Sequence, residues 1–101
     1  MNEMRRNLSD IQLILDNVKE ICEANCVQRC LLYGSYVRGD ATKWSDIDLA
    51  VWGCDDSESF TDDIDNINTL LEIDVVFIDS NGTGISQDFL EEVEEYGIQV
   101  Y

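Results

Sequence analysis

The stretch Asp46-Ile47-Asp48-Leu49-Ala50-Val51-Trp52 constrains this chain most, because it alternates at period two. Successive strand side chains point to opposite faces, so Asp46, Asp48 and Ala50 share one face and Ile47, Leu49 and Val51 the other. Just upstream, the apolar run Cys30-Leu31-Leu32-Tyr33 reads as a buried strand. Between the two lie Gly34-Ser35, a small polar segment with a second glycine at Gly39, and a loop over 40–45. Two carboxylates side by side next to a branched aliphatic face do more than a solubilising surface needs. Paired acids repel unless something positive sits between them, and a hard divalent cation with oxygen ligands meets that need.

The remaining elements follow from spacing. After a polar start over the first seven residues, Ser9-Asp10-Ile11-Gln12 has the form of a capping box, with Ser9 as N-cap and Gln12 at N3. Leu8 and Leu13 fall at the staple positions. Leu8, Ile11, Leu15, Val18 and Cys22, joined by Ile14 and Ile21, predict a first helix to about Ala24. Gly34-Ser35 predicts a tight turn into a short helical piece, Ser35 to about Arg38. Phe60, Ile64, Ile67 and Leu71 predict another helix, poor in propensity and dependent on tertiary packing. Ile73 to Ile78 reads as a third strand, with Ile73, Val75 and Phe77 on one face and Asp74, Val76 and Ile78 on the other. Asp74 is then a lone acid on a largely apolar strand, and a buried carboxylate tends to be neutralised or paired. Residues 80–84 read as a loop. Ser86 caps a final helix to about Tyr96, with Ile85, Phe89, Val93 and Tyr96 as its apolar stripe and four glutamates outside. Gly97 suits a helix terminator, and Ile98 to Tyr101 offer a terminal strand.

No repeat, proline or low-complexity linker interrupts the chain, so one domain over 1–101 is expected. The expected class is α/β (α+β), a mixed sheet of three to four strands with helices mainly on one face. With 22 Asp plus Glu against 6 Lys plus Arg, the net charge is −16, and there is no histidine. Such a surface repels nucleic-acid backbones and anionic membranes, and it fits a basic protein partner. Nothing approaches a membrane span, and no basic segment followed by an apolar stretch opens the chain, so a cytoplasmic location is expected. Cys22, Cys26, Cys30 and Cys54 form no C-x-x-C pair, and reduced thiols are expected.

The Gly34-Ser35 turn admits two readings. A strand-to-helix turn with a serine cap accounts for most isolated Gly-Ser pairs. A helix start with a close-approaching glycine and a hydroxyl donor is equally suited to phosphate, and the downstream acids make that reading preferable. Arg38 and Lys43 can meet phosphate oxygens or remain solvated, with Arg38 favoured. Trp44 covers the loop base or stacks on a nucleobase, with packing favoured.

Gly34-Ser35, ten residues, then Asp46-x-Asp48 resembles the signature of the polymerase-β-type nucleotidyltransferase superfamily. With Arg38-Gly39 inside and Ser45-Asp46-Ile47-Asp48-Leu49 closing it, the string resembles the minimal nucleotidyltransferase (MNT) family, antitoxin partners of HEPN toxins. The resemblance implies a small nucleotidyltransferase fold and a third acid on the next strand, a position that Asp74 matches. It implies that Asp46, Asp48 and Asp74 are catalytic and hold two Mg²⁺ ions, with Mn²⁺ as a substitute, and that Gly34, Ser35 and Arg38 bind the triphosphate of ATP. Tyr36 departs from the pattern, because many relatives carry an arginine there. The implied activity is transfer of AMP to a tyrosine hydroxyl of a cognate HEPN toxin. Larger superfamily members hold the acceptor on a second domain; here another polypeptide must bring it, in a homo- or hetero-oligomer. The alternatives are an acidic antitoxin that occludes its toxin without catalysis, and a small-molecule nucleotidyltransferase.

Overall fold

The computed structural model describes residues 7–79 and 85–101; the polar start before Asn7 and the loop expected at 80–84 lie outside them. A four-stranded mixed sheet is the frame. It comprises β1 (Arg29–Tyr33), β2 (Ile47–Trp52), β3 (Ile73–Ile78) and β4 (Ile98–Gln99), in the order β3-β2-β1-β4. β1 runs antiparallel to β2 and β4, while β2 and β3 are parallel. The helices are α1 (Gln12–Ala24), the single turn α2 (Ser35–Arg38), α3 (Ser57–Asp65) and α4 (Gln87–Tyr96), with a 3₁₀ turn Leu8–Ile11 leading into α1. The mixed α+β class expected from the sequence is borne out. Among the described residues no helix is long and apolar enough to cross a membrane.

Register explains which face is core. Leu32 pairs with Leu49, Cys30 with Val51 and Ile47 with Ile73, so their side chains emerge on one face of the sheet. Against that face pack Ile11, Leu15, Val18 and Cys22 of the first helical segment and Phe60 and Ile64 of α3. Leu32, Leu49, Val51 and Phe60 are fully buried. Burying each such side chain stabilises by roughly 1.5–3 kcal/mol. The rings of Phe60 and Phe77 meet edge to face at 5.7 Å between centroids.

The opposite face carries the acids but is not left open. Leu31, Ala50 and Ile78 lie there beside Asp48 and Asp74, and α4 covers them with Val93, Phe89 and Leu90. The helices therefore lie mainly on one face, with α4 the exception. The reason is that apolar side chains on both faces of β1 and β2 demand cover on both. Arg29 secures α4: its guanidinium pairs with Glu94 and lies 4.0 Å from the ring centroid of Trp52.

Several local expectations are corrected. The first helical segment is capped by Asn7, not Ser9. The Asn7 side chain accepts from the Ser9 N–H at 3.0 Å, and the Asp10 carboxylate accepts from the Asn7 N–H at 2.8 Å. This is the capping box two residues earlier, and it leaves Leu13 80% exposed instead of stapled. α3 stops at Asp65, before Ile67 and Leu71, because Asn66, Asn68 and Thr69 compete for the backbone; the Thr69 hydroxyl accepts from the Leu71 N–H at 3.1 Å. Ile67 and Leu71 still pack against the core from the following turn. Gly97 ends α4 without a left-handed residue, at φ −63° and ψ 150°. It is needed for closeness: a Cβ there would overlap the Val93 carbonyl and lie 3.3 Å from the Leu32 carbonyl.

All four cysteines are free thiols, as expected, though only Cys22 and Cys30 are buried. These two contact each other, and the bond with Cys22 together with burial pushes the Cys30 thiol up. Cys26 is exposed and sits at φ +56°, in the left-handed position that follows α1. The Val27 N–H reaches back to the Cys22 carbonyl at 3.2 Å, closing the turn that glycine usually closes. Cys26→Gly should therefore stabilise the protein by roughly 0.5–1 kcal/mol, the relief of left-handed strain exceeding the entropy added to the unfolded chain. Urea unfolding checks this through a higher midpoint at unchanged m.

Candidate functional site

The end of β1, the short α2 and the start of β2 meet at one corner of the sheet. Gly34 leaves β1 at φ +84° and ψ −148°, a conformation essentially confined to glycine. Its carbonyl accepts from the Val37 and Arg38 N–H groups at 3.1 and 3.0 Å, which folds Ser35–Arg38 into a single turn. Gly39, left-handed at φ +87°, ends that turn, as the sequence leads one to expect. A Cβ on Gly34 would overlap Oδ2 of Asp48 and stand 3.3 Å from its Cγ. The turn and the carboxylate are thus packed backbone to side chain, and only glycine fits between.

Asp48 stands at the centre of the charges. It pairs in register with Tyr33 on one side and with Asp74 on the other. Its carboxyl is held above the usual range by burial first, then by the negative charges of Asp74 and Asp46, with Arg38 opposing them. The Tyr33 hydroxyl is also pushed up, by burial and by Asp48 and Asp74. Asp48 therefore feels the charges of both neighbouring carboxylates as well as the cost of its own burial.

A cleft of about 470 Å³ opens at this corner. Gly34, Ser35, Arg38 and Asp48 line one side of it, and Phe89, Glu92 and Tyr96 of α4 line the other. Asp46 and Asp74 are not among its lining residues. Asp46 is half-buried just before β2, and Asp74 is exposed and lines an adjacent hollow of about 340 Å³ with Glu72 and Asp65. Among the described residues no three acid, cysteine or histidine side chains are gathered as a ready metal cluster. The donor set itself, carboxylate oxygens that repel one another, suits a hard divalent cation. Arg38 is exposed, and its Nε lies 3.5 Å from Asp40. That surface pair contributes little and leaves the guanidinium available to the cleft. Lys43 lies over the ring of Trp44, which is 73% exposed, so the expected packing role of Trp44 does not hold.

The contribution of α4 differs from the expectation drawn from its sequence. Tyr96, on the helix's expected apolar stripe, is 63% exposed at the cleft rim, and Glu92, on the expected solvent face, also lines the cleft. The available signal was the unbroken apolar run of β1, which calls for a helix on the second face.

The raised pKa of Asp48 has a consequence for stability without metal. Its folded value lies above the unfolded value of 3.8, so the folded chain holds this proton more readily. The resulting stabilisation is fully present below that unfolded value and is lost as the pH rises through the folded one. At neutral pH the ionised Asp48 therefore works against folding. Asp48→Asn should raise the melting temperature at pH 7 in EDTA, with an advantage that shrinks as the pH falls toward 3.8. Paired thermal melts over that range check the sign.

A family model described as Polymerase beta, Nucleotidyltransferase matches residues 16–101. Among curated proteins none matches the chain. Three solved structures are similar. One is a toxin–antitoxin with AMP-PNP, at 25% identity and TM-score 0.61 over 86% of this chain and 72% of that chain. Another is a mutant of the toxin–antitoxin MntA-HpeT, at 23% identity and TM-score 0.60 with the same coverage. A third is a tri-AMPylated Shewanella oneidensis HEPN toxin in complex with MNT antitoxin, at 24% identity and TM-score 0.56 over 89% of this chain and 71% of that chain.

Proposed function

The chain belongs to the polymerase-β nucleotidyltransferase family, and on that premise we propose that it is an antitoxin that transfers AMP from ATP to a tyrosine hydroxyl of a cognate HEPN toxin. The observation that carries this reading is the cleft with Gly34, Ser35 and Arg38 beside Asp48, whose charge is coupled to those of Asp46 and Asp74. The similarity to toxin–antitoxin complexes, one with AMP-PNP and one with an AMPylated toxin, supports the partner and the nucleotide.

Asp46, Asp48 and Asp74 are the residues that would hold divalent metal. Two Mg²⁺ ions bound there would neutralise phosphate charge and favour an attacking alkoxide. Asp74 is exposed and Asp46 half-buried, so both side chains have room to turn toward Asp48. The Ser35 hydroxyl and the Arg38 guanidinium grip the β- and γ-phosphates, leaving the α-phosphorus facing Asp48. The acceptor oxygen attacks that phosphorus, the bond to the β-phosphate oxygen breaks, and pyrophosphate leaves. Asp74 takes the hydroxyl proton. Positioning and charge neutralisation supply most of the acceleration, as in phosphoryl transfer generally. The acidic surface, −16 overall, steers a basic partner to the site.

The test is intact-mass measurement of a HEPN-type partner after incubation with this protein, ATP and Mg²⁺. A gain of one or more AMP units on the partner is expected. An unchanged partner mass together with full neutralisation of its toxicity would favour occlusion without catalysis.

A further inference from the structure

We propose that the aromatic wall of α4, Phe89 and Tyr96 with Glu92 between them, is the nucleoside subsite of the cleft: the base lies against Tyr96, and Glu92 keeps the polyphosphate on the opposite side. This deepens the proposed function and rests on it.

The geometry starts from α4 itself. Val93 is fully buried against the sheet, which fixes the rotation of the helix. Spacings of three and four then align Phe89, Glu92 and Tyr96 along one edge, and that edge borders the cleft. Phe89 is held rigidly, its ring perpendicular to that of Tyr33 at 5.2 Å between centroids. Tyr96, one turn of helix further along, is 63% exposed, a large flat surface in contact with water at the mouth of a cavity. A cavity of about 470 Å³ is of the size that takes a small organic ligand.

The two walls differ in chemistry, and the difference orients the ligand. The Ser35–Arg38 side offers a hydroxyl and a cation. The α4 side offers two aromatic rings and a carboxylate, on a helix that also carries Glu91, Glu94 and Glu95. A polyphosphate is repelled by that helix, whereas a neutral nucleoside can stack on its rings and donate from its hydroxyl and amino groups to Glu92. Only one placement satisfies both walls: phosphates toward Ser35 and Arg38, and nucleoside toward Tyr96.

The experiment measures binding of α,β-methylene-ATP and of inorganic tripolyphosphate, each with Mg²⁺, by calorimetry. The unmodified protein, Tyr96→Ala and Tyr96→Phe are compared. Tyr96→Ala should weaken the nucleotide analogue roughly ten- to a hundredfold, the value of one base stack, and leave tripolyphosphate unchanged. Tyr96→Phe should restore nucleotide affinity, because the ring remains. The exposure of Tyr96 means that its truncation opens no core cavity, and a thermal melt verifies this. Equal binding of the analogue by Tyr96→Ala would overturn the subsite while leaving the transferase reading intact. So would a parallel loss of tripolyphosphate, which would mark Tyr96 as merely structural. If the unmodified protein binds neither ligand, the proposed function itself fails.

Discussion

Changing Asp46 and Asp48 together to Asn is expected to lower AMP transfer to the partner on the order of a thousandfold or more, while leaving the partner complex in place. Asn keeps the size and shape of each side chain and removes the charges that would hold metal. Neither change opens a cavity, since both residues are only half-buried. Docking should persist, because the acidic outer face of α4 and the acidic residues at 55–58 are untouched. Two measurements separate the outcomes: partner mass after incubation with ATP and Mg²⁺, and co-elution of the two proteins on size exclusion. Transfer by the double variant at near the original rate would remove these two carboxylates from the mechanism. Loss of co-elution would mean that the change acted on docking instead.

A single methyl group at Gly34 should be nearly as damaging. Gly34→Ala forces a Cβ into a backbone conformation of φ +84° and drives it onto Oδ2 of Asp48. The strain costs about 1–3 kcal/mol, and relief requires either the turn or the carboxylate to move. Movement of either misaligns the turn proposed to hold phosphate with the acid, and misplacement of about an ångström costs on the order of a hundredfold in rate. The expected result is a fold that survives with a reduced urea midpoint and transfer that falls by roughly that factor. Gly39→Ala is the control, because a Cβ there meets nothing within 4 Å. It shares the positive φ but not the collision. If both variants lose activity equally, backbone strain alone is responsible and contact with Asp48 is not.

Much of this corner was legible in the sequence, for physical reasons. Period two fixes which face a residue occupies, so the shared face of Asp48 and Asp74 and the bounds of β3 followed from alternation alone. Glycines at 34 and 39 bracket a helix too short to show periodicity, and those punctuation marks located it. What stayed hidden depended on contacts between distant segments. Tyr96 lies on the same helix stripe as Phe89 and Val93, and nothing local says that the stripe divides between sheet and cleft. Asn7 and Ser9 are both competent caps, and Asp10 chose Asn7 by reaching back three residues. Gly97 does end α4, but the closeness of its backbone to the Val93 carbonyl and to β1 is a long-range fact that no local rule expresses.

The pairing of β4 with the middle of β1 has a consequence for the order in which the molecule is made. Leu31 and Leu32 wait for Gln99 and Ile98, and the Cys30 N–H waits for the Tyr101 carbonyl at 3.0 Å. Contacts that close such long loops form slowly, because chain entropy is lost before they return any stabilisation. One wall of the cleft is complete by residue 48, whereas the other belongs to α4, which begins only at Gln87. During synthesis the Gly34–Ser35 turn and Asp48 emerge first, as half of a cleft with nothing facing them. The cleft thus closes only once α4 has been made, so a chain that stops before residue 87 carries the motif without the opposite wall.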